Sequence, residues 1–234
     1  MDQRPIIYLL PGLLCDQDVW QHQSAALSQH AEVRIPDFKG LDSLEKMADL
    51  VLDEAPEQFS VIGHSMGGRV GFELINRAPE RIRHLMLLNV GAHPVNEEES
   101  EQRLSLVDAA ESIGMDRYAK QWASLLMKSR EHENVDVRTR IESMVRRQSI
   151  NDFRGHIKAG LGRKDQSTYL RQIKRPVLLI VGELDTWSTV NQHVEIKQSL
   201  SSAKLEVIPE AGHMALLDQP ELVSTLLVEW FLKH

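Results

Sequence analysis

Cysteine is nearly absent: Cys15 is the only one in 234 residues. A single thiol closes no internal disulfide and builds no cysteine-rich metal site, so a reducing compartment, the cytoplasm, is the expected address. Long apolar runs are missing as well, and none approaches the ~20 residues needed to span a bilayer. Basic residues are in deficit, 27 Lys and Arg against 34 Asp and Glu for a net charge of -7, which repels nucleic acid rather than attracting it. No glycine-rich phosphate loop is present, and no Gly-x-Gly-x-x-Gly follows the first strand-like run, so nothing points to a nucleotide cofactor. His22, His30, His84, His93, His132, His156 and His193 show no ligand spacing such as His-Glu-x-x-His, and no metal is expected. The apolar start ending at Cys15 has the look of an exported lipoprotein leader. It fails on Leu14 before the cysteine, on the Pro11-Gly12 interruption and on Asp2 at the charged end.

What is present is an ordinary globular composition, 42% hydrophobic and 26% charged, in a chain long enough for one α/β domain. Short β-type runs alternate with helical periods, the signature of a parallel sheet wrapped by crossover helices. Residues 6–10, 33–35, 59–62, 85–89, 177–181 and 205–208 read as strands apolar on both faces. Residues 20–27, 44–52, 70–75 and 222–232 place apolar side chains three and four apart, as helices packed on that sheet do. Between residues 93 and 170 the rhythm breaks. That stretch opens on an acidic cluster, Glu97-Glu98-Glu99, and holds three amphipathic segments, around Leu104 to Ile113, Tyr118 to Leu126 and Ile141 to Val145. The expected organisation is a core of residues 1–92 and 171–234 interrupted by a helical lid, residues 93–170.

Gly63-His64-Ser65-Met66-Gly67 lies between a buried-type strand and a helix start. A serine forced onto so sharp a turn needs small residues two positions away on each side, where strand and helix backbones converge. The turn projects the hydroxyl at a helix N-terminus, where free N–H groups and partial positive charge stabilise an anion. Serine is a weak nucleophile and needs a base with an orienting acid. Val177 to Gly182 runs into Asp185, and Leu205 to Ile208 runs into His213. Nucleophile, acid and base thus arrive in the order Ser, Asp, His, each just past the end of its own strand. Asp152 and Asp165 compete for the acid role but follow no buried strand. His64, adjacent to Ser65 on a tight turn, points elsewhere and is read as a packing residue. Cys15 is read as a small buried hydrophobe. Leu14, Trp187 and Met214 flank the predicted site residues and are candidates to line a substrate pocket.

These motifs, with Tyr8-Leu9-Leu10-Pro11-Gly12-Leu13-Leu14, Ala78-Pro79-Glu80-Arg81-Ile82 and Gly212-His213 followed by Gln219-Pro220-Glu221, resemble the α/β-hydrolase superfamily over nearly the whole chain. The sequence looks like its small bacterial esterases, lactonases and meta-cleavage-product hydrolases. The resemblance implies Ser65 as nucleophile, His213 as general base and acid, Asp185 as orienting carboxylate, and no cofactor. It also implies an oxyanion hole from the backbone N–H groups of Leu13 and Met66. This chain has Pro11-Gly12 where the family usually has His-Gly, which leaves open what holds that loop. Five residues before the first strand imply a trimmed sheet of six. The expected substrate is a small carboxylic ester, thioester or lactone with a mostly apolar acyl group. Two alternatives keep the fold. Gly67-Gly68-Arg69 resembles relatives of the menaquinone-pathway synthase, which would use the triad for carbon–carbon cleavage or a proton-abstracting elimination. A non-catalytic ligand receptor would use the pocket alone.

Overall fold

The computed structural model describes residues 4–127 and 134–234. Six strands form one sheet: β1 (Ile6–Leu10), β2 (Glu32–Arg34), β3 (Phe59–His64), β4 (Ile82–Leu88), β5 (Val177–Gly182) and β6 (Ala203–Ile208). Their order is β2-β1-β3-β4-β5-β6, and every pairing is parallel. Side chains alternate across the pleat, so Ile7, Leu9, Ile62 and Ile180 enter one core while Tyr8, Leu10, Val61 and Leu179 enter the other. The first core is closed by α1 (Gln21–Leu27) and, after the rest of the chain, by α10 (Pro220–Lys233). The second is closed by α2 (Leu44–Glu54), α3 (Met66–Arg77) and α8 (Val190–Ser199). A short helix, α9 (Ala215–Asp218), precedes α10.

The four inner strands are apolar on both faces, as read from the sequence, but the two edge strands are not. β2 is exposed or half-buried throughout, and in β6 Val207 is 42% exposed. An edge strand has a neighbour on one side only, and charge discourages stray pairing. Lys204 and Glu206 supply it, joined at 2.6 Å on the open face of β6.

Between β4 and β5 the described chain is helical: α4 (Glu97–Ile113), α5 (Met115–Leu126), α6 (Val135–Arg146) and α7 (Ile150–Leu161), then a 3₁₀ turn over Gln166–Gln172. Three of these match the amphipathic segments expected, although Leu104, placed on the buried face of α4, is 53% exposed. The sequence reading missed α7. Its buried face is Phe153, His156, Ile157 and Ala159, with Gly155 and Gly160 among them, and a histidine with two glycines blurs the apolar period. Capping starts the helices firmly: the Asn96, Asn134 and Ser149 side chains accept backbone N–H groups of α4, α6 and α7, and Ser149 with Asp152 forms a reciprocal capping box. Among the described residues no helix is long and apolar enough to cross a membrane.

The chain moves outward from β1 to β2, then returns past β1 to β3 and continues in the opposite direction. Such a reversal opens a crevice at the carboxyl ends of the two strands where it occurs. The loop after β1 and the turn after β3 meet there. The approach is so close that a Cβ on Gly67 would collide with the Leu10 carbonyl. Gly67→Ala is therefore expected to cost about 1–3 kcal/mol of stability in urea denaturation. Gly160→Ala, with nothing within 4 Å, is expected to be neutral or stabilising. Equal midpoints for the two variants would show that the turn is not under this constraint.

Candidate active site

Ser65 joins the end of β3 to the start of α3 with φ 53° and ψ -113°, a conformation costly for any residue but glycine. Its N–H donates to the Leu88 carbonyl at 2.9 Å, and its own carbonyl accepts from Arg69 N at 3.2 Å. These bonds and the glycine contacts hold the strain. Among the described residues three other non-glycine residues have positive φ, Leu14 at 58°, Asn89 at 49° and Glu210 at 54°. Each of the four lies just past a strand that ends at the same edge of the sheet. Local strain is concentrated along this edge, where Ser65 and Asn89 turn toward one point.

At that point His213 Nε2 lies 2.9 Å from Ser65 Oγ, and His213 Nδ1 lies 2.9 Å from Asp185 Oδ2. The partners assign the tautomer: Nδ1–H donates to the carboxylate, and Nε2 is free to accept the serine proton. The Asp185 side chain has no exposed surface. It is nevertheless well satisfied. Oδ1 accepts the N–H groups of Trp187 and Ser188 at 2.8 and 3.0 Å, and Oδ2 accepts Asn89 Nδ2 at 2.8 Å. Burial pushes the carboxyl up, but His213 and these donors outweigh it and hold it at about 2. The competing acids are engaged elsewhere, Asp152 in the capping box of α7 and Asp165 as the cap of the 3₁₀ turn.

The supporting groups were only partly foreseen. Asn89 drew no attention in the sequence, yet its amide bonds both Asp185 and, at 3.2 Å, the Gly212 carbonyl. The signal was its place directly after β4, matching the strand-end placement of the other site residues. His64 points away from Ser65, as expected. Its Nε2 donates to the His213 carbonyl at 2.9 Å, and its ring lies so close to Gly12 that a Cβ there would sit 2.8 Å from Nδ1. Burial first, then His213, lowers the His64 pKa to about 3, so the ring is neutral. It braces from β3 the loop in which Pro11 replaces the family's histidine. Cys15 is buried, and burial pushes its thiol up to about 12, which makes it unreactive at neutral pH.

Leu13, Ser65 and Met66 line one small cavity. Met66 opens α3, so its N–H has no partner within the helix. A larger cavity of about 480 Å³ meets it at Ser65, reaches His213 and is lined by Trp187, Val90, Leu106 and Leu125. Leu14 and Met214, named beside Trp187 from the sequence, are instead packed in the core, 1% and 2% exposed. Leu14 carries the turn itself, and Met214 follows the histidine into α9. The cavities are less apolar than the sequence suggested. Arg69, Glu99 and Arg103 line both, and Arg163 lines the smaller. None of the four was singled out as a charged site residue, although Arg69 lies one helical turn after Ser65. Among the described residues no cluster of three or more His, Cys, Asp or Glu is arranged to hold a metal ion.

Residues 41–220 match the family model for the alpha/beta hydrolase fold. The chain belongs to the α/β-hydrolase family. It is a hydrolase whose sequence is 27% identical to a pimeloyl-(acyl-carrier protein) methyl ester esterase of Nitrosomonas europaea, over 93% of this chain and 92% of that one. It is 28% identical to a putative 2-succinyl-6-hydroxy-2,4-cyclohexadiene-1-carboxylate synthase of Bacillus subtilis, over 86% of this chain and 77% of that one. A malate-bound thermophilic esterase from Thermogutta terrifontis has the same fold, with a TM-score of 0.88, 23% identity and coverage of 99% of this chain and 90% of that one. In this hydrolase Asp185→Asn is expected to lower kcat by about 10⁴, because an amide imposes the wrong imidazole tautomer. Asp152→Asn and Asp165→Asn are expected to keep kcat near wild type. Steady-state kinetics on the three variants checks the assignment, and the reverse pattern would move the acid role away from Asp185.

Proposed function

We propose that the enzyme is a serine hydrolase that cleaves a small carboxylic ester, thioester or lactone through an acyl-enzyme. The observation that carries this reading is the unbroken chain Ser65 Oγ, His213 and Asp185, both links 2.9 Å long. In this scheme His213 Nε2 takes the Ser65 proton as Oγ attacks the carbonyl carbon. The charge that develops on the carbonyl oxygen is met by the N–H groups of Leu13 and Met66, which are fixed by backbone and need no reorganisation. His213 then passes the proton to the leaving oxygen or sulfur, and the acyl group stays on Ser65. Water, deprotonated by the same imidazole, releases the acid and restores the hydroxyl. Asp185 stays ionised and stabilises the transient imidazolium.

The helices of residues 93–170 act as the lid in this proposal. Support comes from the cavity walls, where α4, α5 and α7 contribute Arg103, Leu125 and Ile157 over Ser65. A roof that close excludes polymers and bulk water and admits a small substrate. The nearly cysteine-free composition favours the cytoplasm as the place of work.

A second reading is favoured by the similarity to the Bacillus subtilis synthase: the same base abstracts a proton from carbon and the serine does not acylate. The two readings separate experimentally. Under the hydrolytic reading a fluorophosphonate labels Ser65, Ser65→Ala abolishes labelling, and a panel of acetyl to dodecanoyl esters, thioesters and lactones is cleaved with a preference for short or medium acyl groups. Labelling of Ser65 without turnover of any panel member would favour the elimination. Full labelling of Ser65→Ala would remove Ser65 from both.

A further inference from the structure

The protein carries a net charge of -7, yet the walls around its nucleophile are cationic. Among the described residues lining the two cavities, three guanidiniums, Arg69, Arg103 and Arg163, face one carboxylate, Glu99. Uncompensated charge in a desolvated pocket is costly, and such an excess needs a reason. Holding the fold together accounts for only part of it. Arg163 is consumed structurally: it donates to the His93, Gly160 and Pro94 carbonyls at 3.1, 2.9 and 3.2 Å and pairs with Glu99, and its side chain is 2% exposed. Removing that matched pair leaves Arg69 and Arg103.

Arg69 has five donors; among the described residues its guanidinium makes one hydrogen bond, Nη1 to the His93 carbonyl at 3.3 Å, and no ion pair. It stands four residues after Ser65 on α3, the spacing that puts two side chains on one helix face. Arg103 descends from α4. Its Nε is 3.5 Å from Glu99, and its guanidinium lies over the Trp187 ring at 5.0 Å. Trp187 in turn stacks on His213 at 5.7 Å. One arginine from the floor and one from the roof thus flank the cavity that contains Ser65. Burial and then the neighbouring Arg163 lower the Arg69 pKa to about 9, which leaves it charged at neutral pH while recording the repulsion that an anion would relieve.

We infer that Arg69 and Arg103 form a carboxylate-binding subsite, so that the substrate is a small molecule carrying a carboxylate as well as the bond that Ser65 attacks. This rests on the hydrolytic reading for the identity of that bond but not for the anion. Planar forks that can each engage a carboxylate through two parallel N–H groups suit this role better than lysines would. Glu99 is shared between Arg163 and Arg103, one carboxylate for three guanidiniums, so the substrate supplies the further counter-ion.

Two matched pairs of probes test the inference: monomethyl against dimethyl glutarate, with the anion on the acyl side, and acetoxyacetate against its methyl ester, with the anion on the alcohol side. Each pair is measured by kcat/KM in the wild type and by calorimetric binding to Ser65→Ala. The carboxylate form of at least one pair is expected to be favoured ~10- to 100-fold, the value of charge-assisted hydrogen bonds in a desolvated site. Arg69→Met is expected to abolish that preference, and Arg103→Met, on the roof helix and outside the sheet, to do the same if the first variant folds poorly. Tighter carboxylate binding to Ser65→Ala without ester turnover in the wild type would keep the subsite and defeat the hydrolytic reading. Ester turnover with no preference in either pair, by either readout, would overturn the subsite and leave that reading intact.

Discussion

The packing of α3 against the ends of β1 and β3 is the constraint from which the rest of the site follows. Side chains at positions 63 and 67 would occupy the space of the Gly67 and Leu10 carbonyls, so only glycines allow the helix to start so close to the sheet. That closeness forces Ser65 to φ 53° and lifts its hydroxyl out of the sheet edge. It also places the first N–H of α3 and the loop after β1 in one crevice at the reversal of strand order. The strain costs stability locally. It is offset by the apolar residues buried on both faces of the inner strands, and by backbone bonds such as Ser65 N to the Leu88 carbonyl.

Strand order then decides which other residues reach Ser65. β4 and β5 continue the sheet beyond β3, and β6 closes it, so the residues that follow these strands converge on one edge. Asn89, Asp185 and His213 come from three separate loops and are cross-linked by hydrogen bonds: Asn89 holds Asp185 and Gly212, and His64 holds the His213 carbonyl. A buried carboxylate is affordable here because it accepts from four donors, and the same donors fix the direction in which it presents charge to the imidazole. The electrostatics of the site are therefore divided. A satisfied anion lies beneath the His213 imidazole, and an excess of cations lies around the cavity above Ser65.

Much of this was legible in the chain because it was encoded locally. The elbow, the strand-end acid and the strand-end histidine each occupy a few consecutive residues, and the four inner strands announce themselves by continuous apolar runs. What was not legible depends on contacts between distant segments. α7 escaped because His156 and two glycines interrupt its apolar face, and whether a histidine lies inward is settled by a partner far away, here the Phe38 carbonyl at 3.2 Å. The arginines escaped for a similar reason. A lone Arg on a helix is ordinarily a solvated side chain, and only the fold brings Arg69, Arg103 and Arg163 around one cavity. Leu14 and Met214 show the converse error, since adjacency in sequence to a site residue does not fix the direction of a side chain.

We propose that this geometry makes the His213 imidazole the base that activates Ser65. The pH dependence of kcat/KM for a neutral ester tests it most directly, because Asp185, His64 and Arg69 each keep one charge state in the assay range. Asp185 is held at about 2, His64 at about 3 and Arg69 at about 9, all outside the interval from roughly pH 5 to 8 in which imidazoles ordinarily titrate. An imidazole must be neutral to accept the serine proton, so kcat/KM is predicted to rise with pH across that interval and then level off. A flat profile over the same range, with the chemical step shown to be rate-limiting, would contradict the account.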